Sequence, residues 1–269
     1  MRANHERSVK MDATGMDDRS AESAAEQSVG DPAQDWLSQY GIRHIAIIPD
    51  GNRRWARGHS FPIAQGHSVG LLDVLPALVE ELSRAGVHTL TAWGFSTENW
   101  HRAHTEVEHL MTIFAEFLAH RLMEMATEFD ARVVHLGRKD RLPSKVLERL
   151  VAAETATLGN TSHVYNIALD YGGDDELTRA AGKMLDAART GTNATELRIS
   201  DFLDTSSQPF PQPDIVIRSS GELRLSGFLP LQTAYSELFF VEESFPEFTM
   251  DVIRRVAEEF RQRRRRFGE

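Results

Sequence analysis

Apolar residues along the chain fall into two alternating rhythms. Short apolar runs at Ile45 to Ile48, Thr89 to Phe95, Arg132 to Leu136, His163 to Leu169 and Asp214 to Arg218 have the length and branched-residue content of buried strands. Between them the apolar residues recur three and four apart, and that spacing predicts helices. These cover about Gly66 to Ala85, Thr105 to Phe129, Ser144 to Ala156, Asp175 to Ala188, Glu196 to Phe202 and Met250 to Arg265. Gly86 stops the first of them and Pro76 should kink it. Alternation of this kind predicts an α/β fold, a single domain with a central, mainly parallel β-sheet flanked by helices. The stripe Val107, Leu110, Met111, Phe114, Phe117, Leu118, Leu122 and Met125 is core by default, and a stripe that long also suits the wall of an apolar tunnel.

Residues 1–35 lack these rhythms. They are polar and nearly free of branched or aromatic side chains, so they cannot offset the entropy of ordering, and a disordered N-terminal tail is expected there with the folded domain over 36–269. The remaining composition narrows the function. With 41% hydrophobic and 26% charged residues and no run near the roughly 20 residues of a membrane span, the chain reads as a soluble globular protein. Zero cysteines and no apolar leader point to the cytoplasm. A net charge of -10 argues against nucleic acid as a partner, so any phosphate must be met locally by a few placed arginines.

In an open α/β sheet ligands bind beyond the carboxyl ends of the strands. Those ends carry the polar singularities of this sequence: Asp50-Gly51-Asn52, Ser96 to Arg102, Tyr171-Gly172-Gly173 and Arg218 to Arg224. The segment Pro49-Asp50-Gly51-Asn52-Arg53-Arg54-Trp55 sets freed backbone N–H groups and two guanidiniums beside a carboxylate. That set suits an anion such as pyrophosphate with a divalent cation, although Asp-Gly-Asn alone also serves as an ordinary turn. Arg218-Ser219-Ser220-Gly221-Glu222-Leu223-Arg224-Leu225-Ser226 has the same character. Glu237, beside the apolar run Leu238-Phe239-Phe240, needs a cation, a metal or a hydrogen-bond donor, and pairing it with Asp50 around one Mg²⁺ is a sensible arrangement. Common hydrolase, zinc-protease, P-loop and dinucleotide motifs are absent. His101, His104 and His109 lack metal-ligand spacing beside Glu106 and Glu108, and the Arg261 to Arg266 run reads as a solvated helix end.

Taken together, the segments His44 to Ala56, Gly66-His67, Phe95 to Arg102, Asp170 to Gly173, Ile217 to Ser226 and Ala234 to Glu237 resemble the cis-prenyltransferases, the undecaprenyl pyrophosphate synthase-like family. The resemblance spans about His44 to Gly268 and implies a homodimer that condenses isopentenyl diphosphate onto an allylic prenyl diphosphate. It implies Asp50 and Asn99 as catalytic groups, Asp50 and Glu237 as Mg²⁺ ligands, and peripheral contact with membrane through a lipid product. Substrate contacts are implied at Gly51, Asn52, Arg53, Arg54, Trp55, His67, Ser96, Thr97, Glu98, Trp100, Arg102, Arg218, Arg224, Leu225 and Ser226.

The sequence departs from the family pattern at four places: Pro49 replaces a methionine, Ile63 an arginine that grips the allylic pyrophosphate, Asp174 an arginine and Leu231 a tryptophan. A missing charged phosphate contact weakens binding by about 2 to 3 kcal/mol unless Arg53 or Arg57 replaces it. Two alternatives to ordinary cis elongation therefore remain: short-chain, irregular or cyclising terpenoid chemistry on the same fold, and a non-catalytic partner subunit. Retention of Asp50, Asn99, Arg218, Arg224 and Glu237 favours an enzyme. Tunnel residues Trp93, Gly94, Phe114, Phe117 and Val164 are expected to set product length.

Overall fold

A computed structural model describes residues 35–263. Apart from Asp35 the expected tail, and the chain beyond Arg263, lie outside the described residues. The core is a six-stranded, all-parallel sheet in the order β3-β4-β2-β1-β5-β6: β1 His44–Ile48, β2 Thr89–Ser96, β3 Ala131–Leu136, β4 His163–Tyr171, β5 Ile215–Arg218 and β6 Glu237–Phe240. β1 and β5 are buried throughout, as the unbroken apolar runs require. β6 was not expected; it is a four-residue edge strand, mostly half-buried, too short for a clear rhythm.

The helices that shape the ligand end are α2 Asn52–Gly58, α3 Ile63–Ser68, α4 Leu75–Arg84 and α5 His104–Ala119, while α1 Trp36–Gln39 packs by the turn that leads into β2. Behind them lie α6 Arg121–Glu128, α7 Ser144–Ala156, α8 Gly173–Arg189 and α9 Met250–Gln262. The predicted helix at 105–129 breaks at His120, whose φ and ψ of -124° and -78° leave the helical basin. Only a short 3₁₀ turn, Ile199–Phe202, replaces the helix expected at 196–202. The expected kink at Pro76 takes another form. A π-helical turn, Val69–Val74, joins α3 to α4 without a break, and Pro76, which has no N–H to give the preceding turn, follows it by two residues. This widened turn carries Gly70 and Leu71 over the ends of the strands.

One polar chain runs through the sheet. Buried His44 on β1 shares a hydrogen bond between its Nε2 and Thr91 Oγ1 (2.7 Å), Asn166 Nδ2 donates to the same Thr91 oxygen (2.9 Å), and Asn166 and Gln208 bond reciprocally. Burial pushes the His44 pKa from 6.5 to about 3, so the ring stays neutral in the fold. Below pH 6.5 the unfolded chain takes up a proton that the folded chain refuses. Stability is therefore lost as pH falls from 6.5 toward 3, at about 1.4 kcal/mol per pH unit for this residue. His67, His135 and His163, also lowered by burial, add to the same slope. Urea midpoints measured at pH 7 and pH 5 are expected to fall with acidification, less so in His44→Gln; equal midpoints in the parent chain contradict the assignment.

Candidate functional site

Beyond the carboxyl ends of β1, β2 and β5 the chain encloses a cleft of about 470 Å³. The turn after β1 builds its rim. Gly51 holds φ +94°, and a Cβ there would fall 2.8 Å from Ser220 Cβ and Oγ, so both conformation and space demand glycine. This turn lets the Gly51 N–H donate to Asp50 Oδ1 (2.7 Å) while Arg218 Nη2 donates to Asp50 Oδ2 (2.8 Å). Arg218 Nη1 reaches the Arg224 carbonyl (2.6 Å) and Ser226 Oγ (2.9 Å), and its Nε is buried with no hydrogen-bond partner. From α2, Arg54 donates to the Ser220 carbonyl (2.9 Å) and Oγ (2.7 Å), and to Glu222 (2.9 Å), which also takes Arg224 (2.6 Å).

Opposite this rim, Glu106 in the first turn of α5 gathers two guanidiniums and an imidazole. His67 Nε2 lies 3.2 Å from it, Arg102 Nη1 3.1 Å and Arg53 Nε 3.8 Å. Burial lowers the His67 pKa, and the hydrogen bond to Glu106 opposes that shift. Arg57 also faces the cleft and has no ionic partner among the described residues. Five lining arginines thus meet one lining carboxylate, Asp50, in a chain whose net charge is -10. The floor is apolar: Ile48, Leu71, Leu75, Ala92, Trp93, Leu110, Phe114 and Phe245. Gly94, at an irregularity of the β2–β4 pairing, keeps this floor open, since a Cβ there would fall 2.8 Å from the Phe114 ring. Past Leu75 and Ala92, which line both, a second void of about 20 Å³ reaches Phe117.

The cleft brings together Asp50, Gly51, Asn52, Arg53, Arg54, His67, Ser96, Asn99, Arg102, Arg218 and Ser226. Asn99 Oδ1 accepts the Ser96 N–H (3.2 Å), closing a capping box over the 3₁₀ turn Thr97–His101. The other expected contacts stand off the cleft. Trp55 packs on His59 and Phe61. Thr97 hydrogen-bonds Glu98, and Trp100 Nε1 donates to buried Asp170 (2.8 Å), which Arg141 grips with two hydrogen bonds. Arg224 turns its guanidinium to Glu222 and lends Arg218 its carbonyl, while Leu225 packs in the apolar cluster with Phe228. Ile63 opens α3 outside the cleft, and Val164 lines neither void.

The expected carboxylate pair is corrected. Glu237 begins β6 and pairs with Ile215, whereas Asp50 follows Ile48, which pairs with Arg218. At about 3.3 Å per residue the two acids sit at opposite ends of the sheet. Glu237 is instead ion-paired to Arg263 (2.9 Å), so within this chain the two do not share a metal. Among the described residues no group of three potential ligands could hold a metal ion. A single carboxylate, Asp50, among arginines suited to phosphate oxygens still fits Mg²⁺, which commonly takes one or two carboxylates and completes its shell with substrate phosphates and water. Glu106 was missed as a site residue because its three partners come from separate segments; its place in the first turn after the Ser96 to Arg102 run was the only available signal.

A rim of guanidiniums above an apolar trough has the chemistry to suit a polyanion that carries a hydrocarbon chain. The family model described as "Putative undecaprenyl diphosphate synthase" matches residues 48–268, and the chain belongs to this family, the cis-prenyltransferases. It is 41% identical over 231 residues to an isoprenyl transferase of Streptococcus mutans, covering 84% of this chain and 92% of that protein. Over 257 residues it is 40% identical to a tritrans,polycis-undecaprenyl-diphosphate synthase (geranylgeranyl-diphosphate specific) of Pyrococcus horikoshii, covering 88% and 94%. The lavandulyl diphosphate synthase of Lavandula x intermedia, solved in complex with dimethylallyl diphosphate, superposes with a TM-score of 0.81 at 30% identity, covering 86% of this chain and 100% of that one. The chain is accordingly a prenyltransferase with cis-prenyl diphosphate synthase activity.

Glu106 generates a specific expectation. Its hydrogen bond is the strongest influence raising the His67 pKa, so Glu106→Gln should move the His67 titration to lower pH, as followed by NMR of the imidazole protons. An unmoved titration contradicts the role given to Glu106.

Proposed function

We propose that the cleft joins isopentenyl diphosphate to an allylic prenyl diphosphate in an Mg²⁺-dependent reaction that releases pyrophosphate. The supporting observation is the single carboxylate Asp50 set among Arg54, Arg218 and the Gly51 turn at the mouth of an apolar trough. Asp50 is the residue that would hold the ion, which when bound supplies positive charge to the departing pyrophosphate. Gly51, Asn52, Arg54 and His67 receive the allylic diphosphate, with Arg53 and Arg57 supplying charge where Ile63 cannot. Arg218, with its free buried Nε–H, and Ser226 receive the isopentenyl diphosphate. Preorganised guanidiniums favour ionisation because the charge they oppose grows in the transition state. The trough aligns the alkene with the allylic carbon and excludes water. Ser96 and Asn99 are weak bases at neutral pH, so they orient the isopentenyl group, and the anchored pyrophosphate is the stronger acceptor for the proton lost on forming the new double bond.

A homodimer fits the outer edge of β6, which pairs with no further strand among the described residues, and the exposed Leu223, Leu231 and Tyr235 in the segment that enters it. No helix among the described residues is long and apolar enough to cross a membrane; a cytoplasmic enzyme meeting the membrane through its product is consistent with that. The replacement of the expected arginine by Ile63 supports the second reading, a specialised terpenoid synthase making a short or irregular product.

Incubation with isopentenyl diphosphate, Mg²⁺ and each short allylic diphosphate, read by mass spectrometry, separates the two. Chains growing by successive five-carbon units support elongation, a single ten-carbon branched or cyclic diphosphate supports the second reading, and no new carbon–carbon bond with any substrate refutes both. Asp50→Ala is expected to cut pyrophosphate release by about a hundredfold or more while far-UV circular dichroism stays native; full activity refutes the metal role. Gly94→Val, which fills the trough against Phe114, is expected to shorten the product, and an unchanged product distribution contradicts the placement of the chain there.

A further inference from the structure

Asp170 is fully buried near the carboxyl end of β4, behind the cleft rather than in its lining. The pairing of β2 with β4 explains how it comes to be there. Phe95 pairs with Leu169 and Ser96 with Tyr171, so Asp170 is one extra residue in the ladder. Its φ of +50° is the left-handed conformation that, among residues with a side chain, aspartate and asparagine tolerate best. A bulge of this kind re-aims its side chain out of the ordinary alternation of a strand.

The re-aimed carboxylate joins two segments that are distant in sequence. Asp170 Oδ1 accepts the Trp100 Nε1–H (2.8 Å) and an N–H of Arg141 Nη2, and Oδ2 accepts the Arg141 Nε–H (2.8 Å). Arg141 reaches in from the surface with 38% of its side chain exposed. Trp100 belongs to the 3₁₀ turn Thr97–His101, and its ring meets that of Phe95 edge-on with centroids 4.9 Å apart. Among the described residues the other side-chain hydrogen bonds of this turn stay within it or its cap: Asn99 accepts the Ser96 N–H, Thr97 donates to Glu98, and His101 Nδ1 lies 3.2 Å from the Glu98 carbonyl. The bond from Trp100 to Asp170 is thus the polar tether between the turn and the sheet.

We propose that Asp170 is a positioning residue for prenyl transfer. Through Trp100 it fixes the turn that presents Ser96 and Asn99 to the cleft, and Arg141 holds the carboxylate in place for that task. The assignment rests on the reading that the isopentenyl group lies against Ser96 and Asn99. Asp170 touches no substrate and carries no proton in the reaction. A turn freed of its tether leaves the alkene poorly aligned with the allylic carbon, and misplacement by about 1 Å is enough to cost rate steeply. The allylic diphosphate, received at the opposite rim by Gly51 and Arg54, is held independently of this tether.

Steady-state kinetics of Asp170→Ala, Asp170→Asn and Trp100→Phe, with each substrate varied in turn, test the assignment alongside NMR of the four tryptophan indole N–H groups. In Asp170→Ala, kcat/KM for isopentenyl diphosphate is expected to fall about a hundredfold, while KM for the allylic diphosphate moves by less than about threefold. Asp170→Asn keeps an acceptor for Trp100 and tolerates the backbone conformation, so it should recover to within about fivefold of the parent. The Trp100 indole signal, identified by its loss in Trp100→Phe, should move upfield in Asp170→Ala and hold its place in Asp170→Asn. Trp100→Phe keeps a ring on Phe95 but deletes the donor; it should reproduce the selective loss, and Asp170→Ala on that background should add little. Equal losses in the alanine and asparagine variants, losses shared evenly by both substrates, or additive effects at 100 and 170 leave Asp170 a stabilising residue only and overturn the proposal. If Asp170→Ala does not fold, Trp100→Phe decides alone, and parent-like kinetics there overturn it. A parent chain that forms no product from isopentenyl diphosphate refutes the reading of the cleft and this role with it, whereas an active parent matched by an equally active Asp170→Ala refutes this role alone.

Discussion

The guanidinium of Arg218 holds the ligand end of this molecule together. Its side chain is only 7% exposed, and a charge at that depth is costly unless paired. Asp50 supplies the pair from the turn after β1, while the Arg224 carbonyl and Ser226 hydroxyl fold the following loop back over the same group. One buried cation thus sets the relative positions of two adjacent strand ends. The Gly51 turn, the Ser219 and Ser220 hydroxyls and the start of α2 all follow from that closure.

Among the described residues every guanidinium near the mouth except that of Arg57 leans on a carboxylate: Arg218 on Asp50, Arg54 and Arg224 on Glu222, Arg53 and Arg102 on Glu106, which also holds the His67 imidazole. Such pairing lets an acidic protein concentrate positive charge in one place without repulsion opening the fold. On the proposed function, a diphosphate would compete with the resident carboxylates for the same donors, and its two phosphates offer more acceptor oxygens to parallel guanidinium contacts than a single carboxylate does. The apolar trough beneath adds binding that grows with the length of hydrocarbon it covers.

Much of this was legible in the chain. Five of the six strands announce themselves as short, mainly apolar runs, and the carboxyl-end rule gathers Asp50, Ser96 and Arg218 from the sequence alone. The misses have physical causes. β6 is a half-buried edge of four residues, and pairing register is not a property of a single segment, so nothing local to Glu237 tells which end of the sheet it occupies. The break at His120 interrupts the backbone while the apolar stripe continues through Leu122 and Met125, so the hydrophobic pattern carries no sign of it. Pro76 announced a disruption, but whether a kink or a π turn absorbs it depends on what packs above, here Asn52 against Gly70. Trp100 and Arg224 carry the right chemistry beside the site, yet Asp170 and Glu222 draw their polar ends away from it.

A crystal structure of the chain with an unreactive allylic thiolodiphosphate and Mg²⁺ tests the central claim most directly. The account predicts phosphate oxygens within hydrogen-bond distance of the Gly51 N–H and Arg54, metal density on Asp50, and the hydrocarbon laid toward Leu71 and Phe114. Diphosphate density away from the Asp50 turn, with the trough between the sheet and α5 left empty, would contradict it.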